Sequence, residues 1–221
     1  MNKNVVITGA NRGIGLALVK GYLAQGCHVF AVCRHSSTEL NALPVVTITD
    51  VDVATDAGIN KLLIELQQVT IDVLICNAGI LRDESLSNLN INSIREQFEV
   101  NALAPLRIVS ALQAQINDSG KVAMITSRMG SIADNGSGGR YGYRMSKAAL
   151  NAASMSLSID LKQRNIPVGI YHPGYVQTDM VNHGGDISAT ESASRLIGLI
   201  EQLNISETGV FKHSNGQVLP W

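Results

Sequence analysis

Two short segments of the chain carry residues whose types and spacing could do chemistry. Tyr143 and Lys147 lie four positions apart, and three glycines lie within residues 9–15. If the segment that contains Tyr143 and Lys147 is helical, a spacing of four residues places the phenol and the ammonium on one face of the helix. A positive charge about 4 Å away stabilises a phenolate by roughly 4 kcal/mol at an effective dielectric of about 20, so we expect Lys147 to lower the pKa of Tyr143. Tyr141 is an alternative phenol, but six helical residues rotate it about 240° away from the lysine, which favours Tyr143. The pair indicates proton transfer at a carbonyl or alcohol oxygen.

The glycines lie between a predicted strand and a predicted helix. Residues 5–7 are a β-branched apolar run, and residues 13–25 carry apolar side chains at helical spacing. Glycines at such a turn permit positive φ and close approach of a ligand, while the first N–H groups of the helix bind phosphate. This segment therefore predicts a dinucleotide site.

Alternating strand and helix patterns run along the whole chain. Strands are predicted at 5–7, 28–33, 45–48, 71–76, 121–125, 166–171 and 209–211. Helices are predicted at 13–25, 36–43, 57–69, 91–116, 143–163 and 188–203. Apolar strands alternating with helices indicate a parallel sheet covered on both faces. We predict one α/β domain over residues 1–221, a doubly wound Rossmann fold with about seven parallel strands.

The composition carries no sign of binding to nucleic acid or to an anionic membrane. The net charge is −1 over 221 residues, and the apolar runs are strand-length, well below the ~20 residues that cross a bilayer. We expect a cytoplasmic protein with no nucleic-acid or membrane partner. The three cysteines are expected to be reduced and packed, and the five histidines lack metal-ligand spacing, so no metal site is expected.

The glycine segment and the Tyr143/Lys147 pair together resemble the classical short-chain dehydrogenases/reductases. Residues 8–15 read Thr-Gly-Ala-Asn-Arg-Gly-Ile-Gly, with the G-x-x-x-G-x-G spacing of that family. The resemblance covers essentially the whole chain. Within the family, residues 127–180 and the carboxyl-terminal Leu-Pro-Trp are most similar to the small carbonyl reductases that include sniffer-type enzymes and the bacterial C-factor.

The resemblance implies four catalytic residues. Tyr143 is the proton donor, and Lys147 supports it and binds the nicotinamide ribose. Ser127, after the fifth strand, holds the substrate oxygen against the phenol. Asn101 kinks its long helix and holds a water that bridges to the lysine.

The resemblance also implies a set of cofactor-binding residues. Asp50 remains a rival for the adenine-binding acid, and Cys76 replaces an asparagine of the family signature, which leaves the local hydrogen bonding open. Besides Tyr143 and Lys147, the expected residues are Gly9, Asn11, Arg12, Gly13, Ile14, Arg34, Asp52, Val53, Asn77, Ala78, Gly79, Pro173, Gly174, Val176 and Thr178.

The end of the second strand predicts the choice of cofactor. Cys33 stands where an acidic residue would bind the ribose hydroxyls of NAD. Arg34 follows it and Arg12 lies in the glycine loop, and guanidinium groups pair well with a 2′-phosphate. We therefore predict NADP(H).

These features predict an NADPH-dependent reductase of a small-molecule ketone or aldehyde. The family implies a homodimer or homotetramer formed through helices 91–116 and 143–163, and residues 180–188 are expected to form a flap. Two alternatives remain. One is a C-factor-type signalling protein that binds a dinucleotide, and the other is a 3-oxoacyl reductase, which would need a basic patch from Arg128, Arg140 and Arg144 for its acidic carrier protein.

Overall fold

Seven strands form one parallel sheet in the computed structural model, which describes residues 2–221. The strands are β1 (Asn4–Thr8), β2 (His28–Val32), β3 (Val46–Ile48), β4 (Ile71–Cys76), β5 (Ile116–Ile125), β6 (Val168–His172) and β7 (Phe211–His213). Their order is β3-β2-β1-β4-β5-β6-β7, and each adjacent pair is parallel. The order reverses between β1 and β4, so the crevice at the carboxyl ends of these strands is where such a sheet binds ligands. The predicted doubly wound Rossmann fold is confirmed.

Helices cover both faces of the sheet. They are α1 (Gly13–Ala24), α2 (Thr38–Asn41), α3 (Asp56–Glu65), α4 (Ile91–Phe98), α5 (Ala104–Leu112), α6 (Tyr141–Asp160) and α7 (Ala189–Gln202). On one face α1 and α7 pack through residues such as Leu18 and Leu196. On the other, α3, α5 and α6 pack through residues such as Ile108 and Leu150. Helices cover both faces of the sheet, so a ligand can reach the strands only at their ends, where the crevice lies.

The prediction of a helix over 91–116, broken in character by Asn101 and Pro105, is right about the interruption and wrong about the end. A π-helical stretch, Glu99–Leu103, interrupts it between α4 and α5, and the helical run ends at Leu112. Ile116 instead begins β5, where it is buried and pairs with Ile71. Ile116 fits the helical spacing of apolar residues, but a strand can bury it equally well. The apolar pattern therefore predicted the end of the helix too late.

Among the other predicted boundaries that differ by a few residues, two follow from backbone conformation. Helix α6 begins at Tyr141, not at residue 143, and follows Arg140 in a left-handed conformation with φ of 50°. Strand β7 lies at 211–213 instead of 209–211, because Gly209 turns the chain with φ of 77°. Neither change moves a predicted functional residue into another element.

Several further expectations concern the chemistry of the described chain. Cys27, Cys33 and Cys76 are free and buried, as predicted. Within residues 2–221 no helix combines the length and apolar character needed to cross a bilayer. The same residues contain no cluster of three His, Cys, Asp or Glu side chains arranged to hold a metal ion.

Candidate active site

The turn between β1 and α1 brings the backbone close to neighbouring segments at two glycines. Gly9 is left-handed, with φ of 66°, and a methyl group on it would lie 2.9 Å from Ala78 Cα. A methyl on Gly15 would lie 2.0 Å from the Gly9 carbonyl oxygen. Both distances are shorter than a carbon contact allows, so this packing of α1 against the strand ends requires glycine.

Thr8 and Asn77 lock the ends of β1 and β4 together. The Thr8 hydroxyl accepts hydrogen bonds from the backbone N–H groups of Asn77 (3.0 Å) and Ala78 (3.1 Å). The Asn77 side-chain amide donates to the carbonyl oxygens of Thr8 (3.0 Å) and Gly9 (3.2 Å). These contacts show how the segment is hydrogen-bonded although Cys76 replaces an asparagine of the family signature. The Cys76 thiol is buried, and burial raises its pKa to about 12. Asn77 makes the contacts that brace the two strands.

The adenine end of the crevice distinguishes the two candidate acids. Asp52 and Val53 lie in the wall of the crevice, where an Asp52 carboxylate oxygen accepts from the Ala54 N–H at 3.0 Å. Asp50 is exposed, left-handed with φ of 55°, and its carboxylate lies 3.5 Å from Lys61 Nζ. The structure therefore favours Asp52 over Asp50.

Two arginines border the crevice where the predicted 2′-phosphate would lie. Arg34 is exposed on the wall next to buried Cys33. The Arg12 guanidinium lies 3.2 Å from an oxygen of Asp179, and the other oxygen of that carboxylate lies 3.1 Å from His183 Nε2. Arg12 thus has a protein partner that a phosphate would have to replace.

The predicted flap is an ordered loop. A 3₁₀ turn spans Asp179–Val181, and the Gln177 N–H donates to the carbonyl oxygen of Ile187 at 2.9 Å. Gly174 and Val176 pack against this loop and are not among the residues that line the crevice: a methyl on Gly174 would lie 3.0 Å from Ile187 Cδ1, and Val176 is buried and forms a bridge with Ile187. These two predicted cofactor residues therefore support the loop from behind.

Helix α6 presents Tyr143 and Lys147 on one side, as predicted. Both are buried, with exposed fractions of 8% and 4%, and both line the crevice, whereas Tyr141 does not. The Lys147 ammonium lies 5.9 Å from the centre of the Tyr143 ring and donates to the Ile125 carbonyl oxygen at 3.0 Å. Lys147 is therefore directed by the end of β5 towards the phenol.

The lowering of the Tyr143 pKa that the sequence predicts is outweighed by burial. Burial raises the pKa of Tyr143, and this outweighs the lowering by the Ser127 side chain and by the charge of Arg140. Burial also lowers the pKa of Lys147 to about 8. Desolvation penalises both charged forms, and the sequence spacing carried no information about it.

Ser127 and Asn101 are both buried, and each is held by hydrogen bonds to its neighbours. Ser127 follows β5, is buried, and its hydroxyl accepts from the Met129 N–H at 3.1 Å. Asn101 lies in the π-helical stretch, and its amide accepts from the Ile80 N–H (2.8 Å) and donates to the Ile80 carbonyl oxygen (2.8 Å). The amide also donates to the Ser146 hydroxyl at 3.0 Å. Asn101 thus ties the segment after β4 to α6.

The crevice as a whole has a volume of about 1160 Å³ and brings most of the predicted residues together. This exceeds the ~300–1,000 Å³ of ordinary small-molecule pockets, as a dinucleotide plus a small substrate would require. Of the predicted residues, the following line it: Gly9, Asn11, Arg12, Gly13, Ile14, Arg34, Asp52, Val53, Asn77, Ala78, Gly79, Tyr143, Lys147, Pro173 and Thr178.

Comparison with known proteins agrees with this geometry. Residues 3–186 match the family model for short chain dehydrogenases. The chain belongs to the short-chain dehydrogenase/reductase family. The family resemblance predicted from the glycine spacing and the Tyr143/Lys147 pair is confirmed.

Two curated proteins are similar in sequence to this dehydrogenase/reductase chain over two thirds of its length or more. The 1-hydroxy-2-glutathionyl-2-methyl-3-butene dehydrogenase of Rhodococcus sp. (strain AD45) is 34% identical over 223 residues, covering 98% of this chain and 99% of that protein. C-signal of Myxococcus xanthus is 40% identical over 154 residues, covering 68% of this chain and 93% of that protein.

Solved structures of carbonyl reductases share the whole fold. The carbonyl reductase Sniffer of D. melanogaster superposes with a TM-score of 0.91 at 28% identity, covering 100% of both chains. A carbonyl reductase from Pseudomonas aeruginosa PAO1, solved in complex with NADP, gives a TM-score of 0.85 at 32% identity, again covering 100% of both. The predicted similarity to sniffer-type reductases and the C-factor is confirmed.

The sequence reasoning placed Thr8 in the glycine motif without predicting its contacts, and it did not identify Asp179. The Thr8 hydroxyl bridges two strands, and the Asp179 carboxylate holds Arg12. Thr8 directly precedes the glycine loop, which is a usable signal for a residue at a strand end. Asp179 is 167 residues from Arg12, and no local pattern connects them.

Proposed function

We propose that the protein is an NADP(H)-dependent oxidoreductase that reduces the ketone or aldehyde group of a small molecule. The observation that carries this proposal is that buried Tyr143 and Lys147 open onto the same crevice as the glycine loop and Arg34. The NADP complex of the related Pseudomonas carbonyl reductase supports the cofactor assignment.

The residues of the crevice fit this cofactor. The turn at residues 9–15 offers backbone N–H groups and a helix start to the pyrophosphate. Arg34 and Arg12 would hold the 2′-phosphate, Asp52 and Val53 the adenine, and Asn77, Ala78 and Gly79 the neighbouring ribose. Thr178 and Pro173 would hold the nicotinamide, with Gly174 and Val176 supporting that segment. When bound, NADPH supplies the hydride.

Tyr143 holds the proton for this reaction. Because burial raises its pKa, the phenol stays protonated at neutral pH and can donate to the substrate oxygen as that oxygen gains charge. The Ser127 hydroxyl would hold the same oxygen, and the Lys147 ammonium would stabilise the phenolate that remains. Burial keeps the phenol protonated but also makes it a weaker acid, so the positive charge of Lys147 is needed to favour release of the proton.

The alternative functions are weighed by specific observations. C-signal, at 40% identity, keeps a signalling role open beside catalysis. A 3-oxoacyl reductase is less well supported, since Arg128 pairs with Asp134 at 2.6 Å and Arg140 with Asp83 at 2.7 Å. These pairs neutralise much of the basic patch that an acidic carrier protein would need.

The proposal is tested by replacing the phenol and measuring chemistry and binding separately. In Tyr143→Phe, NADPH consumption over a panel of ketones and aldehydes should fall at least about 100-fold, the usual worth of a general acid. Tyr141→Phe is the matched control and should keep turnover. Since hydrogen bonds to charged groups contribute about 1.5–3 kcal/mol, the wild type should bind NADPH at least about tenfold more tightly than NADH.

Three outcomes would contradict this function: full turnover in Tyr143→Phe, equal Kd values for NADPH and NADH, or no consumption with any carbonyl. If turnover is abolished while a cellular phenotype persists, the signalling reading is correct.

We also propose that residues 1–221 act as one cytoplasmic catalytic unit that assembles as a homodimer or homotetramer. Helices α5 and α6 expose apolar side chains, including Leu106 (38%), Met155 (42%) and Ile159 (62%). Burying such a surface favours association. Light scattering on a size-exclusion column tests this, and a monomer at micromolar concentration would contradict it.

A further inference from the structure

Glu84 is a buried carboxylate that the proposed chemistry does not use. Its exposed fraction is 5%, and within residues 2–221 it forms no salt bridge. One oxygen accepts from the Ser93 hydroxyl (2.7 Å) and the Gln97 amide (2.6 Å), and the other from the Gly142 N–H (3.3 Å). A buried carboxylate is costly unless it is hydrogen-bonded, and here three donors converge on it.

The contact with Gly142 places this carboxylate at the start of the catalytic helix. Gly142 is the second residue of α6, where backbone N–H groups lack partners within the helix and negative charge is favourable. The Glu84 carbonyl oxygen accepts from the Arg140 N–H at 2.8 Å. Glu84 therefore holds both the residue before α6 and its first turn, directly beside Tyr143.

Helix α4 approaches α6 closely at the same place. A methyl group on Gly142 would lie 2.5 Å from Gln97 Nε2. The Gln97 oxygen accepts from the Arg82 N–H at 3.0 Å, so Gln97 also fixes the segment that carries Glu84. One turn further along α6, Asn101 makes a second link through Ser146. The catalytic helix is thus joined to the segment after β4 at two successive turns.

We propose that Glu84 is a positioning residue that holds the first turn of α6, and with it the Tyr143 phenol, in register with Ser127. This rests on the proposed function, because Tyr143 is the proton donor there. Glutamate is the side chain that suits the position, since a carboxylate only accepts hydrogen bonds. A glutamine would direct its own N–H₂ group at one of the three donors.

The test is Glu84→Gln, with Asp56→Asn as the matched control. Asp56 is also a carboxylate in the first turn of a helix, but it is exposed and lies in α3. In Glu84→Gln, kcat for carbonyl reduction should fall at least tenfold. The Kd for NADPH, measured by fluorescence, should change less than threefold, because the glycine loop and Arg34 are untouched. Asp56→Asn should leave both unchanged.

The pH profile separates positioning from a loss of stability. Because Ser127 lowers the pKa of Tyr143, moving the phenol away from Ser127 raises that pKa. The part of the pH profile of kcat that is set by the titration of Tyr143, called its limb, should therefore move to higher pH in Glu84→Gln. Partial unfolding would lower the amount of active enzyme without moving the limb.

The outcomes distinguish this inference from the proposed function. If Glu84→Gln folds and has the wild-type kcat and an unchanged pH profile, the role of Glu84 is overturned. If Tyr143→Phe is inactive in the same assay, the proposed function still holds. Full activity in Tyr143→Phe overturns the function instead. If Glu84→Gln does not fold, Ser93→Ala removes only one of the three donors, and kcat should then fall twofold to fivefold. An unchanged kcat in that variant overturns the inference.

Discussion

Replacing Lys147 with methionine should make the protein more stable at neutral pH while removing its activity. The lysine is 4% exposed, and burial lowers its pKa from 10.5 to about 8. Between these two values the unfolded chain binds more protons than the folded protein, so this group's contribution to stability rises with pH. Its cost is fully present below about pH 8 and disappears as the pH approaches 10.5.

The size of the effect follows from the two pKa values. A lowering from 10.5 to about 8 corresponds to roughly 3 kcal/mol of lost stability at neutral pH, at about 1.4 kcal/mol per pH unit. Methionine has a similar shape and removes this cost, but it leaves the Ile125 carbonyl oxygen without the donor that lies 3.0 Å away. That loss costs about 1 kcal/mol. The variant should therefore gain about 2 kcal/mol at pH 7, and about 4–8 °C in Tm for a chain of this size.

Urea unfolding of both proteins from pH 6 to 10.5 measures this directly. The advantage of Lys147→Met should shrink above pH 8 and reverse near pH 10.5, where only the lost hydrogen bond remains. Titrations of the cysteines and of tyrosines other than Tyr143 occur in both proteins and cancel in the difference. Lys162→Met, at an exposed lysine after the end of α6, should show no pH-dependent difference. A variant that is equally destabilised at pH 7 and pH 10.5 would refute the desolvation reasoning.

Two further predictions concern Asp179, directly before the predicted flap, and the packing of Gly130 against α6. Asp179→Asn should tighten NADPH binding twofold to fivefold and change NADH binding less than twofold. The substitution releases Arg12 from an exposed ion pair that is worth less than about 1 kcal/mol. Titration of both cofactors at low salt tests this, and equal effects on NADPH and NADH would contradict it. Gly130→Ala should lower the free energy of unfolding by about 1–3 kcal/mol, because its methyl would lie 2.7 Å from the backbone of Lys147. Gly136→Ala, where a methyl meets no atom within 4 Å, should change stability by less than about 0.5 kcal/mol in the same denaturation assay.

The elements and the core of the site were predictable because local rules govern them. The strand at residues 71–76 matches β4 because its apolar run could only be buried between two layers. Tyr143 and Lys147 share a face because helical spacing is fixed by backbone geometry. The glycine loop was predictable because positive φ and close backbone contact exclude most other residues.

Other features depend on segments that are distant along the chain. Glu84 meets Gly142 across 58 residues and Arg12 meets Asp179 across 167. The preference for Asp52 over Asp50 rests on which of the two residues lines the crevice, and the end of α5 depends on the pairing of Ile116 with the sheet. Each of these outcomes required the packed positions of two elements.

The residue types and their spacing determined the fold class, the crevice and the choice of Tyr143 as the proposed proton donor. The tertiary structure determined the electrostatic state of that donor. Charge attraction between Tyr143 and Lys147 can be inferred from four residues of helix, but the cost of desolvating both groups depends on everything packed around them. That cost raises the pKa of the phenol and lowers the pKa of the ammonium to about 8, because a buried group loses the water that stabilises its charge.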